Sequence, residues 1–125
     1  MAFTTTEADF EIFKASAIRW GAFFGILSYE LYFRHDDRHK GTLATLEACS
    51  DSRNAVFTLK RSGWPTYPTI EEIEKCAFHE TLELLLDEAR EFAEARQPSG
   101  NWTEISHKII RTLENSVWKK HKCTS

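Results

Sequence analysis

Apolar positions recur along this chain with two different periods, and the switches between them predict the order of elements. Phe10, Phe13, Ala17, Trp20 and Phe24 are spaced by three and four, the period of a helix. Thr6 is placed to cap that helix, acidic Glu7, Asp9 and Glu11 suit its N-terminal dipole, and Gly25 suits its end. From Ser28 to Asp36 the pattern alternates, with Tyr29, Leu31 and Phe33 against Glu30, Tyr32 and Arg34, which predicts a half-buried strand. Thr42 to Cys49 and Ala55 to Lys60 read as two more strands. The short polar link between them, Ser50 to Asn54, predicts an antiparallel hairpin.

Two prolines in Gly63-Trp64-Pro65-Thr66-Tyr67-Pro68 interrupt both periods, and this segment is expected to pack over the entry of the next helix. Thr69 with Glu72 forms a capping box. From Ile70 to Arg96 the chain holds neither Gly nor Pro, which predicts a long helix ended by Pro98-Ser99-Gly100. Asn101 or Thr103 caps a last helix, whose apolar face is expected to be Ile105, Ile109, Leu113 and Val117. The expected fold class is α+β: an N-terminal helix, a three-stranded, mainly antiparallel sheet, and two C-terminal helices, in one domain over residues 1–125.

Composition narrows the function classes. The chain has 125 residues, 16 Lys plus Arg against 19 Asp plus Glu, and a net charge of −3. An acidic balance disfavours a dedicated nucleic-acid binder, which needs a basic face to displace counterions. No stretch approaches the ~18 apolar residues of a membrane span, and Met1 to Glu7 lacks the basic start and apolar run of a secretion signal. A cytoplasmic location is expected. The cysteines Cys49, Cys76 and Cys123 form no C-x-x-C pair, so the first two read as small buried apolar residues and the third as a free thiol near the C-terminus.

The segment with chemical potential is Phe78-His79-Glu80-Thr81-Leu82-Glu83. On a helix, His79 and Glu83 lie one turn apart and about 40° apart around the axis, close enough to meet on one atom. Imidazole and carboxylate are both zinc ligands, and Glu80, beside them but off that face, stands where a general base would take a proton. His107, early on the last helix, is the other histidine expected on a regular element. Counted from the break near Pro98, however, it lies some 15 Å nearer the turn than His79 on straight helices at 1.5 Å per residue. To meet, the long helix must fray early or the Glu94–Trp102 stretch must double back.

Cys76-Ala77-Phe78-His79-Glu80 with Glu83-Leu84-Leu85-Leu86, followed by Ser106-His107-Lys108-Ile109-Ile110-Arg111-Thr112-Leu113-Glu114-Asn115, resembles small phage and prophage proteins described as zincin-like metallopeptidases. The likeness covers most of residues 10–118. It implies a minimal zincin-like fold and a hydrolase acting in the host cytoplasm on a peptide or protein substrate. It also implies Zn²⁺ held by His79, Glu83 and His107, and Glu80 as catalytic base. This sequence departs from the family pattern in carrying Glu83 where zincins generally have histidine, and Ser106 where the family commonly has an acid. Arg111, one turn after His107, reads either as an oxyanion partner or as a surface cation.

Two other readings stand beside this one. Residues 70–96 carry nine acids against three bases, which suits a non-enzymatic phage accessory protein docking on a host or virion protein. A metal-stabilised structural domain without a labile site is the third. His35-Asp36-Asp37-Arg38-His39 reads as a solvated loop, and the basic tail from Trp118 to Lys122 as a solvated end.

Overall fold

The computed structural model describes residues 2–96 and 100–121, apart from the side chain of Glu88. The elements are α1 (Glu7–Phe23), β1 (Glu30–Asp36), β2 (Ala44–Cys49), β3 (Asn54–Lys60), α2 (Ile70–Arg96) and α3 (Trp102–Leu113). A π-helical turn, Glu114–Trp118, and a final turn of α-helix, Lys119–His121, prolong α3. The α+β class is as the pattern predicts.

Both capping boxes form. The Thr6 amide donates to Asp9 Oδ2 (2.8 Å) and the Asp9 amide to Thr6 Oγ1 (3.1 Å). Thr69 and Glu72 make the same reciprocal pair at 3.3 and 3.1 Å. Helix α1 ends in a Schellman turn, with Ile26 N–H on Gly21 C=O and Gly25 N–H on Ala22 C=O. Gly25 sits at φ +74°, the left-handed conformation that such a turn requires and glycine adopts without strain. The expected stop of α2 at Pro98 and Ser99 lies outside the described residues, as does Cys123.

The sheet is mixed, a correction to the mainly antiparallel expectation. The β2–β3 hairpin forms, in the register Ala44↔Leu59 to Cys49↔Asn54, but β1 pairs parallel to β3, giving the order β1-β3-β2. The physical reason is burial. Ala55, Phe57, Thr58 and Leu59 of β3 are all buried, so β3 takes the centre, while β1 and β2 carry the charges of Glu30, Arg34 and Glu47 at the edges.

The inner face of the sheet packs on α1 and α2 through Phe13, Ala17, Ala55, Phe57, Leu59, Trp64, Ile73, Ala77 and Leu84. A second cluster, Trp20, Phe78, Leu82, Ile110 and Trp118, locks α1 and α3 onto α2. Helix α2 is therefore the central element. One stripe of it meets the sheet, another meets the helices, and a third, Cys76, His79, Glu80, Glu83, Asp87 and Arg90, borders open space.

Three local expectations shift. Ile105 and Ile109 are 45 % and 43 % exposed, whereas Leu113 and Val117 pack on the second cluster as expected, beside buried Ser106, Ile110 and Trp118. Cys49 is exposed at the end of β2, and Cys76 is half-buried. Trp64 packs into the core with its indole N–H on the Lys60 carbonyl (2.9 Å), whereas Tyr67 stays outside. Among the described residues no helix is long and apolar enough to cross a membrane.

The second cluster fixes α3 on α2, so truncating it should be costly. Leu82→Ala is expected to lower stability by about 2–5 kcal/mol, the range for emptying a filled core site. A urea denaturation midpoint equal to that of the parent protein would contradict this packing.

Candidate metal centre

The open stripe of α2 forms one wall of a cleft of about 790 Å³, and Thr42 to Leu46, running into edge strand β2, form another. His79, Glu80 and Glu83 line it from α2, His107 from α3, and Glu114 from the π-turn. All four residues singled out by sequence thus share one cleft.

One ligand atom each from His79, Glu83 and His107 lies within 4.8 Å of the others. His107 Nε2 is 3.2 Å from Glu83 Oε2, and His79 Nε2 is 3.9 Å from the same oxygen. Donors at about 2.0–2.2 Å from one tetrahedral ion lie roughly 3.4 Å apart, so this spacing and this donor chemistry fit a divalent cation. The group can hold a metal ion. The offset expected of His107 is not met by fraying, because α2 is continuous to Arg96. The other alternative, a doubling back over Glu94–Trp102, falls partly on residues 97–99, outside those described.

Each ligand on α2 is gripped from behind. His79 Nδ1 is 3.0 Å from Glu114 Oε2, and Arg90 donates to Glu83 Oε1 at 3.0 Å, leaving Oε2 toward the histidines. Arg90 also reaches Asp87 Oδ1 at 3.4 Å and Glu94 Oε1 at 3.9 Å. Sequence reasoning gave neither Glu114 nor Arg90 a place here, although a signal existed. Each follows a ligand by seven residues (Glu83 to Arg90, His107 to Glu114), two helical turns and so the same face.

Glu80 differs from these partners. It is 9 % exposed and, among the described residues, makes no hydrogen bond or ion pair, although it lines the cleft. At 100° per residue it falls between the stripe that packs on the sheet and the stripe that borders the cleft, which is why it is desolvated. Burial, with Glu83 and Glu114 adding repulsion, pushes its carboxyl up to about 8. Burial likewise pushes the neighbouring Cys76 thiol up to about 12, so at neutral pH it is an uncharged wall.

Other sequence candidates lie elsewhere. Arg111 is exposed and does not line the cleft; the cations that do are Lys75 and Arg90. The His35–His39 segment is divided among separate contacts: His35 Nε2 lies 2.6 Å from Thr5 Oγ1, Asp37 accepts from Ser62, and His39 pairs with Glu47. Of the acids of α2, Glu72, Glu80, Glu83 and Asp87 line the cleft and Glu91 accepts from Ser50.

Comparison of the chain with family models, with curated proteins and with solved structures finds no match.

The raised pKa of Glu80 has a signed consequence for stability. Between its ordinary 4.5 and about 8 the metal-free native state holds a proton that the unfolded chain has lost. Stability should therefore fall as pH rises through that window, with the full penalty present above it. Glu80→Gln should flatten this part of the profile and exceed the parent protein in stability near pH 9, measured by denaturant titration in chelator. Parallel profiles for the two proteins would show that Glu80 is not desolvated.

Proposed function

We propose that the protein is a zinc-dependent peptidase, with Zn²⁺ held by His79, Glu83 and His107 and with Glu80 as general base. The observation that carries this reading is the convergence of three candidate ligand atoms from two helices in a cleft, beside a buried carboxyl that has no hydrogen-bonding partner among the described residues. The set of two imidazoles and one carboxylate is that of thermolysin-type catalytic sites, which leave a further position open.

When bound, zinc supplies Lewis acidity, polarising a carbonyl and easing the deprotonation of water. The other work falls to this chain. Glu80 is desolvated, so its carboxyl binds a proton readily. A divalent cation nearby would favour its ionised form and ready it to accept the proton of the attacking water at a carboxylate oxygen. Having taken that proton, the same group passes it to the departing amine, as microscopic reversibility of acid–base catalysis allows.

Strand β2 provides the support for an extended substrate. Lys60 N–H bonds Leu43 C=O, so the backbone groups of Leu43 and, by alternation, Thr45 and Glu47 face β3. Those of Ala44 and Leu46 then point to the unpaired edge, and both residues line the cleft. A peptide adding itself as a strand there would lie alongside the histidines. The resemblance to phage zincin-like proteins agrees with this reading and with a peptide or protein substrate.

Protein purified without a metal-affinity step is expected to hold about one zinc per chain by elemental analysis. His79→Ala should lose it, while Glu80→Gln should keep it and lose all peptide hydrolysis. Hydrolysis surviving in Glu80→Gln would remove Glu80 as base, and a wild-type protein without zinc would refute the proposal. The edge-strand role has its own test. Leu46→Pro removes an outward amide and should raise KM with the fold intact, whereas Thr45→Pro, which breaks the ladder to β3, should destabilise the protein.

A further inference from the structure

The metal reading leaves open what holds an imidazole ready before any ion arrives, and the two histidines of the site differ in this respect. His107 Nε2 lies 3.2 Å from Glu83 Oε2, within hydrogen-bond distance of an acceptor. With no cation present, that nitrogen is the donor and carries the hydrogen. His79 is arranged the other way. Its Nε2 is 3.9 Å from Glu83 Oε2, too far for a hydrogen bond, while its Nδ1 is 3.0 Å from Glu114 Oε2. A carboxylate only accepts, so the hydrogen belongs on Nδ1 and the lone pair of Nε2 is turned toward Glu83 and His107.

Glu114 owes its place to the irregular end of α3. It opens the π-helical turn, and its side chain is only 15 % exposed. Four residues either side of it, Ile110 and Trp118 are buried in the cluster with Phe78, next to His79. Steps of four drift by about 40° on an α-helix. The wider π-turn takes up that drift, so Ile110, Glu114 and Trp118 keep facing α2 in succession.

We infer that Glu114 is a positioning residue, which holds His79 as its Nδ1–H tautomer and presents Nε2 ready-made to an ion shared with Glu83 and His107. The inference rests on the metal reading for its purpose, but the tautomer can be read without any metal. Ser106, where the resembled family commonly has an acid, offers no carboxylate, and Glu114, two turns beyond His107, supplies one to the other imidazole. Partners of this kind are typically worth 10–100-fold in metal affinity.

Long-range ¹H–¹⁵N NMR of the metal-free full chain near pH 8.5, above the ordinary imidazole range, tests this. Wild-type His79 is expected as Nδ1–H and His107 as Nε2–H. Glu114→Ala should release His79 to mixed tautomers and weaken zinc binding about 10–100-fold, measured by competition with a chromogenic chelator. Glu114→Gln keeps a carbonyl acceptor, and should retain the tautomer and most of the affinity. Wild-type His79 found as Nε2–H would overturn the assignment. So would Glu114→Ala with an unchanged tautomer and affinity within twofold of wild type, or Glu114→Gln as impaired as Glu114→Ala. A wild-type chain that binds no zinc yet shows Nδ1–H at His79 would defeat the metal reading while upholding the role of Glu114 in orienting the ring.

Discussion

The position of α3 along α2 is the constraint on which the site depends, and Phe78, Leu82, Ile110 and Trp118 set it. His79 and Glu83 belong to one helix, and their relation follows from helical spacing alone. His107 and Glu114 do not. They reach the same cleft because Ile110, lying between them in sequence, is fully buried against the residues that neighbour His79 and Glu83. A slide of one turn would move His107 by about 5.4 Å and carry it away from Glu83. Apolar packing thus does the geometric work that the polar groups exploit.

That packing also creates the chemical asymmetry of the cleft. The two carboxylates that grip or are gripped, Glu114 and Glu83, have hydrogen-bonding partners, while Glu80 sits deeper with none among the described residues. Burial and the nearby Glu83 and Glu114 thereby hold the carboxyl of Glu80 above its ordinary range. The sheet adds a further wall to the cleft. Because β3 takes the centre, β2 is left at an edge, and that edge borders the cleft.

Much of this was legible in the amino-acid pattern. Thr6, Gly25, Thr69 and the Gly-free run to Arg96 act locally, through caps and helix propensity, and the structure places each where the pattern did. The parallel pairing of β1 was not legible, because alternation tells which residues face inward and not which strand lies beside which. The face of α3 was legible in part. Leu113 and Val117 pack on the second cluster as the period predicts, but Ile110 and Trp118 fill its buried centre in place of Ile105 and Ile109, and the π-turn brings Trp118 round to do so. At the site, His79, Glu80 and Glu83 could be read from spacing. Glu114 and Arg90 do not show at steps of four, because each stands seven residues, two turns, beyond the residue whose face it shares.

The central claim is that His79, Glu83 and His107 are brought to one ion by the packing of two helices. Crystals grown with zinc, with diffraction data collected on both sides of the zinc absorption edge, test this most directly. The account predicts one anomalous peak in the cleft, with the three side-chain donors at about 2.0–2.2 Å and Glu80 beside the ion without coordinating it. Zinc bound elsewhere, or a cleft without a peak while the two imidazoles keep their present separation, would contradict it.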